Sequence, residues 1–98
     1  MSTTDAHELL AAAQAILPDL VDLRRRLHRI PEVGLRLPNT QEVVAAELRE
    51  LGLQPRLGTT TTSVTAVVEG ARPGPTVLLR ADMDGLPLLE ETGLPFAS

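Results

Sequence analysis

The chain has 98 residues, the length of one small domain and no more. A hydrophobic fraction of 43% with 22% charged residues belongs to a globular chain, not a disordered one. Thirteen acidic against nine basic residues leave a net charge of −4, which argues against a nucleic-acid partner, and the absence of cysteine excludes disulfides and thiolate metal sites.

From Asp5 to Arg29, the residues Leu9, Ala13, Ile16, Leu20, Leu23 and Leu27 recur at three- and four-residue steps, one face of a helix. Asp5 and Glu8 have the spacing of a capping pair at its start. Pro18 leaves two alternatives: a kink in one helix, or a second helix with Pro18 in its first turn. Pro31 closes the helical stretch by disfavouring helical geometry at Ile30. Val33 to Pro38 reads as a connection. Asn39 and Glu42 form another capping pair, Val44, Leu48 and Leu51 line a second helix, and Gly52 is placed to terminate it.

Beyond Gly52 the period changes. Leu53 to Leu57 predicts a short strand, Thr59 to Thr62 a polar turn, and Ser63 to Glu69 a better strand. Gly70 to Pro75 is a turn by composition. Thr76 to Leu79 is a continuous apolar run, expected as a strand buried on both faces. Two N-terminal helices followed by about three strands predict an α/β layered fold.

Phe96 is the only aromatic residue, so the apolar mass is Leu, Val and Ala and the core is expected to be modest. This composition points to a piece of something larger. No apolar run approaches the roughly 20 residues of a membrane span. The Met1 to Glu8 segment has no basic region before an apolar stretch, so a cytoplasmic location is expected. His7 and His28 are the only histidines, too few for a cluster of imidazoles.

The apolar run leads directly into Arg80-Ala81-Asp82-Met83-Asp84-Gly85-Leu86-Pro87. Ligand sites of open α/β sheets lie at the carboxyl ends of strands, and aspartate is expensive to bury unpaired. Spacing alone leaves two readings open. One is a turn, with Asp82 paired to Arg80; the other is a functional carboxylate.

The stretch Leu78 to Pro87, continuing through Leu88-Leu89-Glu90-Glu91-Thr92-Gly93-Leu94-Pro95-Phe96-Ala97-Ser98, resembles a signature of the aminoacylase/carboxypeptidase-type amidohydrolases. This family of dinuclear metallohydrolases includes hippurate hydrolases, N-acyl-amino-acid amidohydrolases and hydrolases of indole-acetyl amino acids. Upstream, Leu23 to Gly34 resembles the family's N-terminal helix and its His-x-x-Pro-Glu ending, here His28, Pro31 and Glu32. The two blocks lie about 50 residues apart, as in the family, and the resemblance runs from about Leu20 to Ser98. Ile30 stands where a His is common and Gly85 where an Ala is common.

The resemblance implies that residues 1–98 form an incomplete N-terminal portion of a zinc-peptidase-like catalytic domain, without the family's lid and dimerisation domain. It implies that Asp84 lies beside the metal centre of the complete enzyme and orients a metal-ligating histidine. Asp82 marks the amidohydrolase branch and is not an expected ligand. Arg80 supports the strand end, and His28 and Glu32 are structural. A buried, hydrogen-bonded His28 is favoured over a catalytic one. His7 and the Arg24-Arg25-Arg26 run read as solvated side chains.

The complete enzyme would use a pair of divalent metals, zinc or manganese, to polarise the amide carbonyl and activate a water, while a glutamate shuttles the proton. Its substrate would be a small N-acyl amino acid, with no nucleic acid or membrane involved, and a homo-oligomer is compatible with the family. The family's next block, His-Ala-Cys-Gly-His-Asp, which carries metal ligands, is not in this sequence. No metal site is therefore expected within these 98 residues, and the chain alone is expected to be inactive. The contrasting possibility is a non-catalytic truncated gene product or small interaction module.

Overall fold

The computed structural model describes residues 5–98; the first four residues of the N-terminal segment discussed above lie outside that range. Helix α1 spans Ala6–His28. Asp5 is its N-cap, with extended backbone, and its carboxylate accepts the Glu8 N–H at 2.8 Å. That bond satisfies one of the donors a first turn leaves without a partner. A single helix runs through Pro18, so no second helix begins there. Residues 11–20 are all exposed, and water can solvate the carbonyl that the missing Pro18 N–H leaves unpaired. The helix ends in a tighter last turn, with Ile30 donating to the Leu27 carbonyl at 3.1 Å just before Pro31.

Helix α2 spans Pro38–Glu50, two residues earlier at its start than Asn39 as the cap implies. Leu37 is the N-cap and makes no side-chain capping bond; Pro38 fills the first turn. Gly52 terminates α2 as expected. It sits at φ +83°, donates to the Arg49 carbonyl at 2.9 Å, and lets Leu53 donate to the Leu48 carbonyl at 3.0 Å. This double closure needs a left-handed residue, which glycine adopts at no steric cost.

The strands are shorter than their sequence runs. Arg56–Leu57 (β1) pairs antiparallel with Val64–Thr65 (β2), placing Arg56 opposite Thr65 and Leu57 opposite Val64. The threonine turn between them is more than a polar connection. Thr62 Oγ1 accepts the Leu37 N–H at 2.6 Å and donates to the Leu35 carbonyl at 3.0 Å, while the Thr62 N–H donates to that same carbonyl at 3.2 Å. Gln41 adds a bond from Nε2 to the Ser63 carbonyl at 3.1 Å. The hairpin is thus pinned to the residues that open α2.

The expectation of a third, buried strand at Thr76 to Leu79 is not met. The segment joins no sheet, and Leu79 is 92% exposed. The cause is the absence of neighbours: among the described residues no strand lies beside it and no helix covers it, so its hydrophobicity has nothing to bury against. The architecture is two helices and one two-stranded antiparallel sheet, a mixed α/β arrangement. Its buried centre is Leu37, Thr40 and Ala45, all at α2. The radius of gyration is 16.3 Å, above the ~13 Å of a close-packed domain of about 100 residues.

Exposed Val77, Leu78 and Leu79, an apolar run with free backbone groups, invite pairing between chains. Sedimentation is expected to show concentration-dependent self-association that Leu79→Lys weakens. A monomer at all concentrations, melting in one cooperative step, would contradict this expectation.

Candidate functional site

The two motif blocks meet in space. Glu32, at the end of the first block, reaches α2 through its carboxylate. Oε1 accepts the Thr40 N–H at 2.6 Å, and Oε2 accepts both the Asn39 N–H and the Asn39 side-chain amide at 3.3 Å. It therefore supplies the capping bonds that Leu37 cannot, from six residues upstream of the helix. The carboxylate also carries the charge favoured at a helix N-terminus. Partial burial pushes the Glu32 carboxyl up, but the hydrogen bonds from Thr40 and then Asn39 act the other way and hold it below its ordinary value.

The same residue holds the second block through its backbone. The Gly85 N–H donates to the Glu32 carbonyl at 2.6 Å. A Cβ at position 85 would stand 3.0 Å from Pro31 Cβ, so glycine here lets the two segments approach closely. Six residues beyond Asp84, a Glu90 carboxylate oxygen lies 3.4 Å from His28 Nε2. His28 is half-buried and tied to Glu90, in keeping with the structural role expected of it. The other Glu90 oxygen is buried without a partner among the described residues.

Asp82 and Asp84 both line an open groove of ≈ 670 Å³ that also contains Leu37, Thr62 and Leu79. Their environments differ. Asp82 pairs with Arg80 at 2.8 Å, the turn-type pairing that spacing left open, and both side chains are well exposed. Asp84 is exposed and takes part in no ion pair among the described residues.

The arginine run is exposed, as expected of it, and two of its members also make contacts. Arg25 lies over the Phe96 ring, 4.1 Å from its centroid, and Arg26 bridges Asp22 and Glu47, tying α1 to α2. Glu90 and Phe96 were not singled out by motif reasoning as contacts of α1. Their distance along the chain from residues 25–28 left no local periodicity to reveal them.

Among the described residues, no three His, Cys, Asp or Glu side chains stand close enough together to hold one ion. Two carboxylates, one already paired with an arginine, do not fit the donor set of a dinuclear centre. The described residues by themselves supply no complete cage. No helix among the described residues is long and apolar enough to cross a membrane.

The chain is similar to several curated enzymes. It is 42% identical over 80 residues to thermostable carboxypeptidase 1 of Saccharolobus solfataricus, covering 81% of this chain and 20% of that protein. It is 45% identical over 82 residues to the N-acetyldiaminopimelate deacetylase of Halalkalibacterium halodurans, covering 83% and 22%. With the N-acetyl-L-cysteine deacetylase of Bacillus subtilis it shares 42% identity over 79 residues, covering 81% and 19%. The match thus spans about a fifth of the length of these relatives. No family model and no solved structure matches the chain.

Because the Glu32 carboxyl is held below its ordinary value, its contribution to stability is fully present above the unfolded pKa of about 4.3 and is lost as pH falls through the lower folded value. Helical circular dichroism followed by acid titration should show this loss, and Glu32→Gln should flatten it. At neutral pH, Glu32→Ala should cost about 0.5–2 kcal/mol, the range of a lost helix cap, read from the denaturant midpoint.

Proposed function

We propose that this chain, a member of the amidohydrolase family, forms the N-terminal part of a catalytic domain that hydrolyses the amide bond of small N-acyl amino acids. The observation that carries the proposal is the meeting of the two motif blocks. Glu32 binds the start of α2 with its side chain and Gly85 with its carbonyl, which presents Asp84 at the edge of the groove. The relatives' names support the substrate class: two of the three are deacetylases of N-acetylated amino acids or amino-acid derivatives.

Within this proposal Asp84 does not touch the scissile amide. Its carboxylate accepts the N–H of an imidazole contributed by polypeptide that this segment does not contain, fixing the tautomer and orientation of that ring. Asp82, neutralised by Arg80, shapes the groove wall and leaves the uncompensated negative charge to Asp84. His28 and Glu32 hold the frame. A divalent pair, zinc or manganese, belongs to the complete enzyme and takes its ligands from elsewhere. The zinc-peptidase-like architecture, residues 1–98 as one portion of that domain, and a cytoplasmic setting without nucleic acid or membrane partners are parts of the same proposal. A homo-oligomer is compatible with it.

The test is a chimaera in which this segment replaces the matching fifth of the Bacillus subtilis N-acetyl-L-cysteine deacetylase. Release of acetate from N-acetyl-L-cysteine is expected; a folded but inactive chimaera would overturn the proposal. In the active chimaera, Asp84→Asn should lower activity or metal affinity by about 10–100-fold, the usual cost of losing a carboxylate partner of a metal-bound imidazole. Leu88→Ala should leave turnover per folded molecule unchanged.

A further inference from the structure

We infer that Glu32 is a positioning residue for Asp84, and that its cap on α2 and its hold on the Asp84 turn are one coupled device. This rests on the role proposed above for Asp84. Three contacts converge on Glu32 and its neighbour Pro31. The Glu32 carboxylate takes the Thr40 N–H at 2.6 Å and both Asn39 donors at 3.3 Å. Its carbonyl takes the Gly85 N–H at 2.6 Å. The preceding residue, Pro31, has a fixed φ and packs where a Gly85 side chain would otherwise stand, 3.0 Å from its Cβ.

The coupling follows from geometry. The side chain and the carbonyl of one residue share a single Cα, so anchoring the carboxylate in the α2 N-terminus limits rotation of the peptide that carries the carbonyl. With the carboxylate anchored, the carbonyl stays aimed at Gly85, and Asp84 is held one residue away. Once the anchor is lost, the Glu32 backbone can turn, and the ties left to the segment beyond Asp84 are side-chain contacts further on, His28 with Glu90 at 3.4 Å and Arg25 over Phe96. Among the described residues, the remainder of the segment Thr76 to Asp84 has no backbone bond that would hold it in place.

A helix cap without this second duty would behave differently, and amide hydrogen exchange on the 98-residue chain distinguishes the two. Protection is read at Thr40, which reports the cap, and at Gly85, which reports the turn. Glu32→Ala is expected to lose protection at both sites by a similar factor. Glu32→Gln, which keeps an acceptor oxygen without the charge, is expected to restore both in part and together. Loss at Thr40 with unchanged Gly85 exchange in Glu32→Ala or Glu32→Gln would overturn the coupling. If Glu32→Ala abolishes the helical signal, the Glu32→Gln comparison decides alone. An inactive chimaera would remove the amide-hydrolysis proposal and leave this exchange result standing, so the two failures are separable.

Discussion

Helix α2 opens with backbone donors that no helix can satisfy from within, and its N-cap residue, Leu37, has no side-chain oxygen to offer. The carboxylate of Glu32 meets that need, and the rest of the ordered structure is arranged around it. Leu37, Thr40 and Ala45, the only buried residues among those described, sit at the cap and along the first turns of the helix that Glu32 caps. The hairpin is tied to the same place by Thr62, which bonds the Leu37 N–H and the Leu35 carbonyl. The segment that carries Asp84 is tied there too, through the Glu32 carbonyl. A charge-assisted cap of this kind is stronger than a neutral one. It links elements that would otherwise meet through little apolar surface.

Apolar surface is what the chain does not bury. Leu9, Ile16 and Leu20 on α1 and Val77, Leu78 and Leu79 on the segment Thr76 to Leu79 stay exposed, although their spacing is that of buried faces. Hydrophobic burial stabilises at about 25 cal/mol per Å² only when a partner surface exists. Here α1 touches the rest mainly at its C-terminal end, through Arg25 over Phe96, Arg26 with Glu47, and His28 with Glu90. These polar contacts are the weaker class of tie, because exposed ion pairs contribute little after solvent screening. Order in this structure therefore rests on directional hydrogen bonds around residue 32 more than on a core.

What the sequence made legible follows from which interactions are local. The Asp5 cap and the Gly52 terminator rest on contacts within one helical turn, and both stand where spacing put them. Local rules failed at the start of α2, because the capping group comes from Glu32 rather than from the Asn39–Glu42 pair that spacing offered. They failed again at Thr76 to Leu79, where burial depends on neighbours that no local pattern can supply. For the site, the motif residues were visible but their meeting was not. Nothing in the spacing of Glu32 and Gly85 says that a carbonyl and an amide 53 positions apart lie 2.6 Å from each other.

The two aspartates of the motif stand in different surroundings, and the role proposed for Asp84 depends on the difference. Both line the same groove two residues apart, yet Arg80 compensates the charge of Asp82 and leaves that of Asp84 without an ion-pair partner. A carboxylate meant to stabilise an imidazole must keep its charge for that partner, since a second cation beside it would compete for the same lone pairs. It must also be held in place, because the charge serves the ring only when it is aimed at the ring N–H. Charge left uncompensated at Asp84 and backbone restraint at Gly85 are thus complementary demands. Arg80 and Glu32 meet them from opposite sides of the motif.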